Sequence, residues 1–271
     1  MYSSVQFKYK SRLKKNPQLT YIIGGKCVDG VVLVSNSKVT YEDHPPSYEP
    51  KLHSEFYHIV TGGAGSTDLY KGFRTNALFA TQSGAIIPED IRLEQPLVYA
   101  KHPVQTSGIV HMYSNEYNFA SLHDNFGILV KAINNSKVAR DSNGSLEILV
   151  ATQIGDTKTA ALTHITEKVQ SDVYDYRGIG SSGMFSNVFL KPFFDKEKDM
   201  TMNQFAKVGY FMIKLLTEHE IDQSVGGEPQ IWFIPNTGPL YRDKDCPELI
   251  GQFEKNSQNM LVQFQKLIDL F

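Results

Sequence analysis

Apolar positions along the chain follow two different periods, and the order in which the periods change sketches the fold. Residues 20–26 place Tyr and Ile among small residues, and Val31-Val32-Leu33-Val34 is a continuous apolar run. Asp29-Gly30 between them is a tight-turn signal, so the two segments read as a buried hairpin that residues 38–40 extend. His44-Pro45-Pro46 through Pro50 reads as a loop, because proline withholds a backbone donor. Residues 56–61 read as a further strand running into Gly62-Gly63-Ala64-Gly65. Ser66-Thr67-Asp68 then caps a helix with Leu69, Phe73, Ala77 and Leu78 on one side. Pro88, Pro96 and Pro103 break up residues 84–119, where neither period is clear.

Helical spacing returns over residues 119–138, carried by Leu122, Phe126, Leu129, Val130 and Ile133. Residues 146–154 and 159–165 read as antiparallel strands, and residues 173–179 as another, ending in Gly180-Ser181-Ser182-Gly183. A helix follows through Phe194. Thr201-Met202-Asn203-Gln204 is a capping box opening a second one, with Phe205, Val208, Phe211, Met212, Leu215 and Leu216 as its apolar face. Gly226-Gly227 stops it, and residues 230–234 form a last strand. Strands in blocks and helices in blocks predict a layered α+β fold, not alternating βαβ units. The final segment, residues 247–271, is an amphipathic helix with Ile250, Phe253, Met260, Leu261, Phe264, Leu267, Ile268 and Phe271 on one stripe. Docking on its own domain is the simpler use of that stripe; a partner contact is the alternative.

Composition narrows the functional classes. The chain has 271 residues, 41% hydrophobic and 21% charged, with a formal net charge of -2, which speaks against a nucleic-acid partner. Positive charge is concentrated only in the leader, at Lys8, Lys10, Arg12, Lys14 and Lys15, which reads as a solvated tail or a removable propeptide. Two cysteines, Cys27 and Cys246, make no disulfide framework and suit a reducing, cytoplasmic compartment. No apolar run is long enough to span a bilayer. The eight histidines show no ligand spacing, so neither a metal nor a cofactor is expected.

Four motifs in register carry a resemblance. The run Thr20-Tyr-Ile-Ile-Gly-Gly-Lys-Cys-Val-Asp-Gly-Val-Val-Leu-Val-Ser-Asn-Ser-Lys-Val-Thr40 resembles the opening of proteasome subunits, with the spacing between the two threonines ungapped. Gly62-Gly63-Ala64-Gly65, Arg177-Gly-Ile-Gly-Ser-Ser-Gly183 and Asp222-Gln-Ser-Val-Gly-Gly227 resemble later motifs of the same subunits, in the same order. The resemblance identifies the chain as a β-type or divergent archaeal-type relative in the proteasome subunit-like N-terminal-nucleophile (Ntn) hydrolase family. It implies a four-layer αββα sandwich, two stacked antiparallel sheets flanked by helices. It also implies a leader over residues 1–19, a catalytic-fold domain over 20–236 and a C-terminal extension over 237–271.

The chemistry that such a site needs is specific. A threonine hydroxyl is a poor nucleophile and needs an adjacent base, which the freed amine of the same residue can supply. A nearby lysine and an orienting group tune that amine, and backbone N–H groups stabilise the oxyanion. The resemblance places Thr20 as nucleophile, Lys51 as the lysine, Gly62 as the oxyanion donor, and Ser181 and Asp222 near the amine. Asn36 stands where the family's catalytic aspartate is expected. Val225 stands at a position that is usually serine, so a hydrogen bond is expected to be missing. Leu19 precedes Thr20 where self-cleaving members carry glycine. Bland readings stand beside these: Thr20 as a strand residue, Lys51 as a surface lysine, Ser181 as a turn residue, Gly62 and Gly63 as packing glycines.

The leading expectation is a proteasome-type threonine peptidase, acting on a polypeptide substrate after loss of the leader. The alternatives are a non-catalytic proteasome-like structural subunit and an amide-transferring relative with a narrow substrate. All three expect a homo- or hetero-oligomer with proteasome-like subunits and no membrane.

Overall fold

A computed structural model describes residues 20–41, 44–56, 59–83, 119–136, 139–140, 144–154, 159–196, 199–219 and 221–268. The expectations for the leader, for Leu19 and for residues 84–118 lie outside these residues.

The chain opens on the predicted hairpin. Strands β1 (Tyr21–Cys27) and β2 (Gly30–Ser35) pair antiparallel across the Asp29-Gly30 turn. Among the described residues, strand β3 (Lys38–Tyr41) pairs only with β4 (His44–Tyr48). The expected loop at His44 is therefore a strand. Its two prolines fall inside the register shift between the Tyr41–His44 and Val39–Ser47 pairs, where neither has to supply a ladder donor. β5 (Leu52–Phe56) and β6 (Ile59–Gly65) follow; the strand expected over 56–61 falls mainly on β6, which continues through the glycines, and β5 was not expected. After helix α1 (Thr67–Ser83) and helix α2 (Phe119–Asn134) come β7 (Leu146–Ile154), β8 (Thr159–Ile165), β9 (Gln170–Asp172) and β10 (Tyr176–Gly180). Helices α3 (Gly183–Lys196) and α4 (Met202–Glu218) precede β11 (Gln230–Pro235), β12 (Tyr241–Arg242), a 3-10 turn (Asp243–Asp245) and helix α5 (Pro247–Ile268).

Among the described residues, two five-stranded antiparallel sheets result, in the orders β10-β1-β2-β11-β12 and β5-β6-β7-β8-β9. Alternation along a strand sends neighbouring side chains to opposite faces, and here both faces are buried. Ile22 and Leu33 join Leu52, Val60, Leu149 and Leu162 in a cluster shared by the two sheets. Tyr21, Ile23, Val32 and Val34 point the other way, into Phe205, Tyr210, Met212 and Ile213 of α4. This explains why the hairpin reads as a continuous apolar run. Phe205 is fully buried; removing such a ring from water contributes about 1.5–3 kcal/mol. Phe73 of α1 and Phe126, Leu129 and Ile133 of α2 form a separate cluster with Leu146, Ile148 and Val150 of β7.

Helix α4 starts where the capping box placed it. The Thr201 N–H donates to Gln204 Oε1 at 2.8 Å, and the Gln204 N–H donates to Thr201 Oγ1 at 3.3 Å. Helix α5 docks on α4: Phe253 enters the α4 core, Leu261 packs with Phe211 and Leu215, and Glu254 accepts from the Tyr210 hydroxyl. The amphipathic stripe is thus used at Phe253 and Leu261 within the chain.

Candidate functional site

The site gathers at the start of β1, where three loops meet. Thr20 is buried, and its carbonyl accepts the Ser181 N–H at 3.0 Å. That contact needs Gly180, whose φ is +87°; a Cβ there would stand 1.7 Å from the Thr20 carbonyl oxygen. Only glycine permits both the left-handed turn and the close approach.

One residue on, the Tyr21 N–H donates to Asn36 Oδ1 at 3.0 Å. Lys51 Nζ donates to the same oxygen at 3.1 Å. Asn36 Nδ2 faces three carbonyls, those of Lys38 at 3.3 Å and of Ser224 and Gly226 at 3.4 Å. Donors on one side and acceptors on the other fix the amide's orientation, and an aspartate would have faced those carbonyls with an anion. Asn36 is fully buried and Lys51 nearly so, at 6% exposure. Burial pushes the Lys51 ammonium down to about 7; the Asp222 carboxylate works against that shift, and Lys38 adds to it.

Asp222 collects hydroxyls. It accepts from Ser181 Oγ at 2.7 Å, Ser182 Oγ at 2.5 Å, the Ser224 N–H at 2.9 Å and Ser224 Oγ at 2.5 Å. Burial alone would raise its carboxyl, but the bonds from Ser182, Ser224 and Ser181 outweigh it and hold the group below its ordinary value. Ser181 and Ser224 also meet, Oγ to Oγ at 2.9 Å.

Sequence reasoning thus named five residues that the fold links: Thr20, Asn36, Lys51, Ser181 and Asp222. Gly62 stands inside β6, paired with Leu52 and Leu149 instead of forming a turn, and its missing Cβ makes room for Leu52 and for Ile22. Val225 is core, packed in the cluster of Tyr21. The serine beside Ser181 is Ser224, one position earlier, and the motif Asp222-Gln-Ser-Val held that signal. Two further residues were missed. Glu147 Oε1 accepts the Gly180 N–H at 2.9 Å, and Glu147 Oε2 lies 3.2 Å from Nε2 of the buried His164. Burial would raise the Glu147 carboxyl, but the His164 hydrogen bond and the Gly180 N–H hold it below its usual value. The register of β7 against β8 makes this pair, with Leu149 opposite His164, and no local pattern announces it.

Chemically, the arrangement offers an amine able to exchange a proton near neutral pH, an amide that orients it, and a carboxylate with three hydroxyls. Among the described residues, no group of three His, Cys, Asp or Glu side chains could hold a metal ion. No helix among them is long and apolar enough to cross a membrane.

No family model and no curated protein matches the chain. Among solved structures, it is similar to Anbu (ancestral beta-subunit) from Yersinia bercovieri, at 19% identity and a TM-score of 0.61, covering 91% of this chain and 97% of that one. It is similar also to an Anbu (Gly-1) mutant from Hyphomicrobium sp. strain MC1, at 14% identity and a TM-score of 0.60, with the same coverage. At these identities the likeness shows the fold, an α+β arrangement of helices and antiparallel sheets. The expected membership of the proteasome subunit-like Ntn hydrolase family is corrected accordingly. The structural neighbours are Anbu proteins, and their likeness makes no statement about an N-terminal nucleophile.

Proposed function

We propose that this chain is a proteasome-like subunit that serves an oligomer structurally instead of as its peptidase. One observation carries the reading: the fold matches an ancestral beta-subunit over 91% of the chain. The amide at Asn36 agrees with it, because Lys51 there meets no negative charge on its nearest partner. The proposal extends to a four-layer αββα order, supported by the apolar cluster between the two sheets and those between each sheet and its helices, and to the division into residues 1–19, 20–236 and 237–271. A cytoplasmic setting belongs to the same reading, from the two free cysteines.

A second reading, a threonine peptidase acting through Thr20, is favoured by one specific feature. Ser181 both holds the Thr20 carbonyl and donates to Asp222, while Lys51 and the Tyr21 N–H donate to the same Asn36 oxygen.

Native mass and intact mass, taken on one preparation and followed by an epoxyketone probe, separate the readings. The structural subunit gives a discrete oligomer with residues 1–19 attached and no labelling of Thr20. A peptidase gives loss of those residues and labelling that Thr20→Ala abolishes. A monomer at all concentrations would sink the subunit reading outright.

A further inference from the structure

We propose that strand β4 presents Pro45-Pro46-Ser47-Tyr48 as a docking motif for a partner protein with an aromatic-lined groove of the WW-domain kind. Three observations meet on this segment. The β3–β4 ribbon stands apart from both five-stranded sheets, and among the described residues β4 pairs only with β3. The ladder shifts register between the Val39–Ser47 and Tyr41–His44 pairs, and Pro45 and Pro46 fall inside that shift. Both prolines are exposed, and Tyr48 is 63% exposed.

Each observation has a physical consequence. A proline ring holds φ at about -65°, close to the value of the polyproline II helix that aromatic grooves take up. Neither proline has an N–H, so covering the two rings strips no backbone donor of its water. The segment is also held in place from behind. The Lys38 N–H, on the residue opposite Tyr48, donates to the Gly226 carbonyl at 3.0 Å, and Lys38 Nζ donates to the Gln223 carbonyl at 2.7 Å. The Glu49 N–H donates to the Ser37 carbonyl at 2.9 Å. One edge of the Tyr48 ring rests on Gly227, where a Cβ would stand 2.6 Å from Tyr48 Cδ1. The motif is therefore offered in one extended form, and a ligand fixed beforehand loses less entropy on binding.

Spacing selects the kind of groove. Two adjacent prolines make an apolar ridge that stacks between aromatic rings. A tyrosine two positions on adds a flat apolar face and a hydroxyl that can bond at the groove's end. An SH3-type groove reads prolines three positions apart, and residues 48 and 49 are Tyr and Glu. The motif lies between Asn36 and Lys51 in the chain but uses neither, so it is independent of the chemistry at Thr20.

The full chain is titrated calorimetrically with an isolated WW domain that takes Pro-Pro-x-Tyr ligands and, in parallel, with an SH3 domain. Saturable binding of the WW domain is expected with a Kd below about 100 µM, and none of the SH3 domain. Pro46→Ala and Tyr48→Ala should each weaken that binding roughly tenfold or more. Pro50→Ala, two residues past the motif, should leave it unchanged. If Tyr48→Ala fails to fold, competition on the unaltered chain decides. A synthetic peptide of residues 42–50 should displace the chain from the WW domain, and the same peptide with Ala at positions 46 and 48 should not. No saturable binding at about 100 µM WW domain overturns the proposal. So does binding that survives Pro46→Ala, or SH3 binding as tight as that of the WW domain.

Discussion

Two buried bases flank the turn at Gly180 and Ser181, and they are partnered differently. Lys51 meets the neutral amide of Asn36, whereas His164 meets the carboxylate of Glu147. In the first pair, geometry is satisfied and charge is not, so burial brings the Lys51 ammonium down to about 7. In the second, the hydrogen bonds from His164 and the Gly180 N–H, with the nearby positive charges, together outweigh the burial of the acid. A hydrogen bond to a neutral group fixes where a side chain sits without fixing whether it is charged. The turn joins the two pairs: the Gly180 N–H donates to Glu147, and the Ser181 N–H donates to the Thr20 carbonyl next to Asn36's partner Tyr21.

The severest way to break the comparison is Gly180→Ala, which strikes both sides together. A left-handed φ and a Cβ at 1.7 Å from the Thr20 oxygen should cost about 3 kcal/mol or more. Urea denaturation measures it, and a loss near zero would mean that the turn relaxes away from Thr20.

Lys51→Met sharpens the difference by removing the uncompensated base. The folded-state pKa of Lys51 is lowered to about 7 from 10.5. Below about 7 the group is charged in both states, and the folded state bears the full cost. As pH rises from about 7 towards 10.5, the unfolded chain holds the extra proton, so stability increases with pH. The unaltered chain should gain up to about 1.4 kcal/mol per pH unit over Lys51→Met across that window. Asn36→Asp, by adding an anion at 3.1 Å, should flatten the same slope. Parallel pH profiles for the unaltered chain and Lys51→Met would remove the contrast.

Glu147→Gln is the mildest test. Its side chain is 35% exposed, so solvent screens part of the pairing and the loss should be about 1 kcal/mol at neutral pH. The acid's pKa is depressed in the fold, so its contribution is present above the ordinary carboxyl range and lost as pH falls through the folded value. The deficit of the variant should therefore fade on acidification, and one that persists would assign the effect to packing.

How much of this was legible depended on whether a signal was local. The β1–β2 hairpin and the α4 cap were readable because Asp29-Gly30 and Thr201 to Gln204 act within a few residues. Strand β4 was not, since Pro45 and Pro46 speak against a strand unless the register shift that admits them is already known. Strand β5 reads Leu-His-Ser-Glu-Phe, too polar for a core pattern, and it lies at a sheet edge where polar residues are admissible. Within the site, the resemblance had singled out Asn36, Lys51, Ser181 and Asp222, and the fold joins Lys51 to Asn36 and Ser181 to Asp222. Ser224 was missed by one position, and Glu147 with His164 was missed because only strand register unites them.

The place of β1 has a consequence for how the molecule is made. The first described strand lies inside its sheet, between β2 and β10, while β2 awaits β11 on its other side. The earliest hairpin therefore leaves the ribosome with both outer edges unpaired and both faces apolar, and it is completed only when Gln230–Pro235 arrives. Pairings so distant in sequence are slow to form, and open apolar edges are where chains stick to one another. Yield on expression should thus depend on temperature and on synthesis rate more than final stability would suggest.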